Sequence, residues 1–122
     1  MKSKAKGWRR WIAATRYSWQ GIKAGWKSEA AIRQEIVAMA ILLPVALLVN
    51  VSTAERALLL LTLTLVLIVE LLNTGIETVV DRLSEDFHEL SGKAKDLGSA
   101  AVLLSLLTAT AVWLLIVPAS LF

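Results

Sequence analysis

Residues 57–83, ALLLLTLTLVLIVELLNTGIETVVDRL, decide the architecture of this 122-residue chain. The segment from Ala57 to Val69 is apolar apart from two threonines. A run of this kind predicts a helix in hydrocarbon. The helical pattern then continues through charged and amide residues to about Leu83. We therefore predict one long helix that spans a membrane and extends beyond it into water.

The composition also favours a membrane protein. Hydrophobic residues make up 57% of the chain, whereas soluble domains contain about 45–50%. The chain has no cysteine, which excludes disulfides, thiolate metal sites and cysteine nucleophiles. In such a protein the basic N-terminal part suits anionic lipid headgroups, and we expect no nucleic-acid partner.

The whole chain is predicted to be a single all-α membrane domain, residues 1–122. Its segments are predicted as an interfacial helix over 6–29, a first transmembrane helix over 30–50, a second over 54–83 with a cytoplasmic extension, a cytoplasmic loop over 84–95 and a third transmembrane helix over 96–121.

Helical periodicity supports the first and last of these segments. Trp8, Trp19 and Trp26 recur on one helical face of a segment that is too polar to span and carries Lys and Arg elsewhere, as in helices that lie in the membrane interface. The third span carries a stripe of small residues that predicts close helix packing in lipid. The stripe consists of Ala94, Gly98, Ala101, Ser105 and Ala109.

The distribution of basic residues predicts the orientation. Most Lys and Arg residues precede residue 34 or lie in the connection after the second span, and the first connection holds only Arg56. The positive-inside rule then places the N-terminus in the cytoplasm and the C-terminus in the periplasm.

Four polar residues of the second span carry the strongest chemical signal. Glu70, Asn73, Glu77 and Asp81 project from one helical face. Glu70 lies roughly 24 Å from the outer boundary, near the inner edge of the hydrocarbon, where an ionisable residue marks a functional site by default. It is placed to accept a proton from an alcohol at headgroup level, while Glu77 is placed to hold a cation such as Mg²⁺. Interhelical hydrogen bonding is the alternative role for this face.

Two further elements contain charged residues near the cytoplasmic boundary. Glu29 either completes a cation site with Glu77 or pairs with Arg33 on a helix surface. The loop after the second span offers lysines for phosphate charge, and its one histidine, His88, is either part of a site or a solvated surface residue. The chain contains neither a Walker A motif nor a Gly-x-Gly-x-x-Gly motif, so a nucleotide site would be of another kind.

Several of these elements together resemble the prokaryotic diacylglycerol kinase family, over residues 8–113. The motifs that carry the resemblance are Tyr17-Ser18-Trp19, Glu29-Ala30-Ala31-x-Arg33-Gln34-Glu35, Glu70-x-x-Asn73-Thr74-x-Ile76-Glu77-x-x-Val80-Asp81 and His88-Glu89-Leu90-Ser91-Gly92-x-Ala94-Lys95-Asp96. The chain departs from the family pattern at three positions, Arg16, Gly75 and Asp86.

The resemblance implies a homotrimer in the bacterial inner membrane, with active sites shared between subunits, that phosphorylates diacylglycerol with ATP and Mg²⁺. It implies Glu70 as the general base, Glu29 and Glu77 as metal ligands, and Asn73 as a supporting residue. The implied nucleotide contacts are Arg10, Tyr17, Glu29, Glu77, Asp86, Phe87, His88, Lys95 and Asp96. The implied lipid contacts are Arg10, Trp19, Lys23, Trp26, Ala31, Arg33, Gln34, Glu35, Arg56, Glu70, Ser99 and Trp113.

Three alternative functions remain open on the sequence. An undecaprenol kinase would share the fold and the chemistry but use a polyprenol acceptor; the Arg33-Gln34-Glu35 triplet resembles the diacylglycerol enzymes better. A small proton-coupled exporter would use Glu70 as its carrier carboxylate, but transporter sites lie near the membrane midplane. A non-catalytic assembly subunit would not need carboxylates on successive helical turns.

Overall fold

The computed structural model describes residues 6–83 and 88–122, and every regular element in these ranges is an α-helix. These ranges contain four helices, α1 (Trp8–Ser28), α2 (Ala30–Leu48), α3 (Thr53–Leu83) and α4 (Glu89–Leu121). The prediction of an all-α fold is confirmed.

Three of the helices, α2, α3 and α4, are long and apolar enough to cross a membrane. α3 has 31 residues and is therefore about 46 Å long, which exceeds the roughly 30 Å of hydrocarbon in a bilayer. It has room for a span and for a further segment outside the lipid. The chain is a membrane protein, and three of the four helices that the structure describes can span a bilayer.

α4 begins earlier than the sequence predicts. The sequence predicts a loop over 84–95; residues 84–87 lie outside the described residues, and the residues from Glu89 onward are helical. The reason is a side-chain cap: Nδ1 of His88 accepts a hydrogen bond of 3.1 Å from the backbone N–H of Leu90, which satisfies one of the free donors of the first turn. The periodic apolar pattern that marks the span begins only later in the helix, so hydropathy does not show this first part.

α3 begins with a reciprocal cap. The backbone N–H of Glu55 donates to Oγ of Ser52 over 3.1 Å, and Oε1 of Glu55 accepts from the N–H of Ser52 over 3.0 Å. A capping box of this kind satisfies two donors that the helix itself leaves free. It fixes where α3 begins after a short connection from α2.

α3 is the central helix of the chain, because it packs along α4 over its length and also against α2. A hydrophobic cluster of Ala46, Leu59 and Ile116 joins the C-terminal ends of α2 and α4 to the N-terminal part of α3. On the small-residue stripe of α4, Gly98 and Ser105 are buried, as the packing prediction requires. Ala101 is exposed, so the stripe is narrower than predicted.

α1 packs less closely than the other helices and keeps its aromatic side chains exposed. Trp8, Trp11 and Trp19 retain 67%, 76% and 61% of their accessible surface. Indole rings exposed beside Lys and Arg are typical of a helix in the headgroup region. This arrangement agrees with the predicted interfacial helix.

An arginine closes the connection between α2 and α3. Nη1 of Arg56 donates to the carbonyl oxygen of Ala46 over 2.7 Å, and Nη2 donates to that of Val49 over 3.1 Å. Carbonyl groups at a helix C-terminus have no donor within the helix. Arg56 therefore ties the first turn of α3 to the last turn of α2.

We expect Arg56→Gln to lower the free energy of unfolding by about 1–3 kcal/mol, because charged donors to partly buried carbonyls contribute about this much. Unfolding by SDS titration in detergent micelles measures the change. Arg9→Gln is the matched control, since Arg9 only lies over the exposed ring of Trp8 at 5.4 Å, and it should cost less than about 1 kcal/mol. Equal stability of the two variants would contradict the role of Arg56.

Candidate functional site

The predicted polar face of α3 passes from the interior of the bundle to the surface. Glu70 is buried, with 8% of its surface exposed. Asn73 and Glu77 are half-buried, and Asp81 is exposed. Since each residue lies about one turn further along the helix than the one before, the face leads from a protected carboxylate to water.

Asn73 connects this face to α4. Its Nδ2 donates a hydrogen bond of 3.0 Å to Oε1 of Glu77, which fixes one carboxylate oxygen. On its other side Asn73 lies so close to Gly98 that a Cβ atom there would overlap the amide oxygen. This oxygen is buried and has no hydrogen-bond partner within the described residues. Gly98 therefore lets α4 approach the side chain that orients Glu77.

Four carboxylates gather near the same level of the bundle. Glu70 is subject to the charges of Glu77, on its own helix, and of Glu29, at the junction of α1 and α2. Glu35 on α2 is close enough to repel Glu70 as well. Negative charges near hydrocarbon are unfavourable without a positive partner, so this cluster favours a bound cation.

The arrangement of the acidic and histidine side chains limits how many protein ligands a metal ion can have. Within residues 6–83 and 88–122, no group of three or more His, Asp or Glu side chains is arranged to hold a metal on protein ligands alone. Mg²⁺ in phosphoryl-transfer sites is commonly held by one or two carboxylates together with substrate phosphates. Glu29 and Glu77, the pair predicted from the sequence, would supply the two carboxylates of such a site.

A lysine from α4 lies beside the acidic face. Nζ of Lys95 is 2.7 Å from Oδ1 of Asp81, and it is also subject to the charge of Glu77. Asp81 belongs to the predicted polar face of α3, but the sequence predicts no separate role for it in the site. Because both side chains are substantially exposed, the pair adds little to stability, but it directs Lys95 toward the carboxylates.

The other residues predicted to contact nucleotide are only partly described. His88 caps α4, with Nδ1 engaged by Leu90. Asp86 and Phe87 lie outside the described residues. Asp96 and Tyr17 are exposed. Arg10 is exposed two residues after the start of α1. Their assignment to a nucleotide remains a prediction.

A groove of about 780 Å³ separates α1 from α3 near the carboxylates. It is lined by residues of α1, α2 and α3 and of the junction between α1 and α2, among them Ser28, Glu29, Ile32, Thr74 and Thr78. It opens beside the C-terminal half of α1, where Trp26 and Lys23 are exposed. Polar and apolar atoms share its walls, as expected of a site between lipid and water.

A second groove of about 310 Å³ runs between α2, α3 and α4 within the apolar part of the bundle. Glu35 and Trp113, two predicted lipid contacts, both line it. The indole N–H of Trp113 is buried without a hydrogen-bond partner in the part of the chain that the structure describes. An unpartnered donor in an apolar groove suits an acceptor from a ligand.

The predicted lipid contacts do not all come together within one chain. Arg56 lies 14 residues before Glu70 on α3, or about 21 Å away along the helix, and its guanidinium is engaged with α2. Nη1 of Arg33 is likewise engaged, with backbone carbonyls of α1. Ser99 is exposed on α4 next to the buried Gly98. Ala31 and Gln34 lie on α2 near its junction with α1, and Trp19 lies in the middle of α1.

Comparison with known proteins identifies the relatives of the chain. The sequence profile of the prokaryotic diacylglycerol kinases matches residues 16–117. The chain is 47% identical over 113 residues to the diacylglycerol kinase of Escherichia coli (strain K12), which covers 93% of both chains. It is 48% identical over 107 residues to the diacylglycerol kinase of Pseudomonas aeruginosa, covering 88% of this chain and 87% of that protein. It is 43% identical over 102 residues to that of Haemophilus influenzae, covering 84% and 86%.

We expect Gly98→Ala to destabilise the protein by about 1–3 kcal/mol, because the added methyl group on α4 must displace Asn73 and overpack the contact between α3 and α4. Gly75→Ala is the matched control, since a Cβ at Gly75 meets open space. Alanine has the higher helix propensity, so this control should stabilise α3 by up to about 1 kcal/mol. SDS titration measures both; the same sign of change in the two variants would contradict the close approach at Gly98.

Proposed function

The chain belongs to the prokaryotic diacylglycerol kinase family, and we propose that it transfers the γ-phosphoryl group of ATP to the hydroxyl group of diacylglycerol, forming phosphatidic acid and ADP at the cytoplasmic face of the membrane. The observation that carries the proposal is the gathering of Glu29, Glu70 and Glu77 at one end of the bundle. Phosphoryl transfer depends mainly on positioning and on neutralising phosphate charge. Both a lipid alcohol and a dissolved nucleotide can reach this level.

In this mechanism Glu70 is the general base. Its carboxylate is buried on α3, near the inner edge of the hydrocarbon, where the hydroxyl group of a diacylglycerol lies. It takes the hydroxyl proton as the lipid oxygen attacks the γ-phosphorus, and the bond to the β,γ-bridging oxygen breaks with ADP as the leaving group. A positioned base contributes about 10²–10⁴-fold to such a step.

Glu29 and Glu77 are the proposed ligands of the Mg²⁺ that accompanies ATP. When bound, Mg²⁺ neutralises charge on the phosphate oxygens. Asn73 supports this arrangement because its Nδ2 holds Oε1 of Glu77. Lys95, directed by Asp81, is proposed to contact the phosphates.

The remaining nucleotide contacts are proposed on α1 and at the start of α4. Arg10 and Tyr17 project from α1, and Asp96 follows Lys95 on α4. Asp86 and Phe87, which lie outside the described residues, and His88 at the start of α4 complete the proposed set. All of these residues lie on the side of the membrane that the positive-inside rule assigns to the cytoplasm, where ATP is present.

The lipid is proposed to approach along the two grooves of the bundle. The larger groove lies between α1 and α3 and contains Glu29. The smaller one is largely apolar and leads past Glu35 to the indole N–H of Trp113, which has no hydrogen-bond partner among the described residues. An ester carbonyl of a glycerolipid would satisfy this N–H. Trp19, Lys23 and Trp26 of α1 lie at headgroup level under this proposal.

A homotrimer is proposed as the working form. α3 exposes a face of large apolar residues that α2 and α4 leave free, and the face continues past Glu70. Its members are Leu61, Ile68, Leu72, Ile76 and Val79. Ile76 and Val79 lie about 9–14 Å beyond Glu70, outside the hydrocarbon, where lipid does not cover them and contact with a second copy of the chain would.

The acceptor is tested with purified protein in mixed micelles that contain radiolabelled ATP, Mg²⁺ and either diacylglycerol or undecaprenol. We expect label in phosphatidic acid, with much weaker labelling of undecaprenol. Faster labelling of undecaprenol would reassign the acceptor. If neither lipid is labelled and the protein in vesicles instead couples solute uptake to proton movement, the exporter is favoured.

Glu70→Gln tests the base. Glutamine keeps the shape and the hydrogen-bonding capacity of the side chain but cannot take the proton, so we expect kcat to fall by about 10²–10⁴-fold with little change in the KM for ATP. A purely structural role predicts near-normal kcat, because an amide costs less to bury than a carboxylate. Equilibrium binding of a non-hydrolysable ATP analogue provides the control for an intact nucleotide site.

A further inference from the structure

The junction between α1 and α2 is a corner made by a single residue. Glu29 alone separates the two helices, with extended backbone angles of φ −121° and ψ 117°. Its backbone N–H donates to the carbonyl oxygen of Gly25 over 2.9 Å, and its own carbonyl oxygen accepts from the N–H of Arg33 over 3.2 Å. The backbone position of Glu29 therefore depends on how the two helices meet.

Arg33 reaches back across this corner. Its Nη1 donates to the carbonyl oxygen of Trp26 over 2.8 Å and to that of Lys27 over 3.2 Å. Both carbonyls belong to the last turn of α1, where the helix supplies no donors and its dipole favours a cation. The side chain thus connects the first turn of α2 to the end of α1 by hydrogen bonds and by charge.

Close packing supports the same corner from the inner side. Ile32 is completely buried, and Gly25 on α1 is buried against it. A Cβ atom at Gly25 would overlap the end of the Ile32 side chain, so the helices are in contact at this point. Apolar packing alone leaves rotation about Glu29 possible, and the directional bonds from Arg33 oppose that rotation.

Few other contacts hold α1. Along the described residues it touches α2 at the corner and α3 beside the larger groove, and it makes no comparable contact with α4. The angle at the corner therefore sets where the C-terminal part of α1, and with it Glu29, lies relative to α3.

We propose that Arg33 is a positioning residue that locks the corner between α1 and α2 and so holds Glu29 beside Glu70 and Glu77. This role differs from the lipid contact that the family resemblance implies for Arg33. Its consequence for catalysis rests on the proposed kinase function, in which Glu29 is a Mg²⁺ ligand. Its consequence for the corner does not.

The corner is measured by distances between two spin labels. The chain has no cysteine, so Ala14→Cys on α1 and Ala40→Cys on α2, both exposed positions, accept labels uniquely. Labelled chains are diluted with unlabelled ones, so that distances within a chain dominate. We expect one narrow distance distribution in the labelled protein that retains Arg33, and a broad or shifted one in Arg33→Gln. Arg33→Lys should give an intermediate distribution, because the single nitrogen of lysine still reaches a carbonyl.

Lys27→Gln is the matched control. It removes a positive charge from the last turn of α1 without removing the bonds that Arg33 makes, and it should leave the distribution narrow. If Arg33→Gln does not insert into the membrane, the comparison of Arg33→Lys with Lys27→Gln decides between the two outcomes. A distribution that stays narrow and at the same distance in the Arg33 variants overturns the proposal.

The effect on Glu29 is measured by Mn²⁺ binding in the presence of a non-hydrolysable ATP analogue, followed by electron paramagnetic resonance. Loss of a residue that orients a metal ligand commonly weakens metal binding about 10–100-fold, and we expect a change of this order in Arg33→Gln. The Mg²⁺ concentration for half-maximal rate should rise in parallel, with the KM for diacylglycerol unchanged.

The opposite pattern, a higher KM for diacylglycerol with unchanged distances and Mn²⁺ affinity, would make Arg33 a lipid contact and overturn the proposal. If the unsubstituted protein phosphorylates neither diacylglycerol nor undecaprenol, the proposed function fails. The distance and Mn²⁺ measurements still decide the role of Arg33 in that case.

Discussion

In a bilayer, backbone carbonyl and amide groups must find partners within the protein, because hydrocarbon offers none. Helix interiors meet this condition by themselves, so the requirement is felt at the ends of the helices. In this chain the arginine at the start of one helix satisfies carbonyls at the end of the preceding one: Arg33 bonds to α1 and Arg56 bonds to α2. These two arginines keep the corners between successive helices tight, and the positions of the remaining elements follow from those corners.

The order of the corners places the acidic residues. Because α1 ends against α2 at Glu29, and α3 returns through the membrane after the corner held by Arg56, the carboxylates of Glu29 and Glu77 approach Glu70 at one end of the bundle. The hydrophobic cluster of the chain lies at the other end, around Leu59. One end of the bundle is thus closed by apolar packing. The other end carries the charged side chains to which a cation and a phosphate are proposed to bind.

Close packing between α3 and α4 has a direct link to this charge. Gly98 allows Asn73 to lie against α4, and Asn73 in turn holds Glu77. A small residue that serves packing therefore also sets the orientation of a proposed metal ligand. Within the part of the chain that the structure describes, the amide oxygen of Asn73 and the indole N–H of Trp113 have no hydrogen-bond partner. A protein of this size tolerates such a cost where ligands or a second copy of the chain provide partners.

The sequence by itself determined the all-α fold, the three apolar helices and the face shared by Glu70, Asn73, Glu77 and Asp81, because hydropathy and a period of 3.6 residues are local properties. It placed Ala101 on a packing face and residues 89–95 in a loop, and the structure differs at both. Only the tertiary structure decided that Arg33 and Arg56 bind backbone carbonyls, that Asp81 meets Lys95 and that Gly98 admits Asn73. Each of these depends on the direction of a side chain across a gap between elements, and the spacing of residues along one helix does not carry that information.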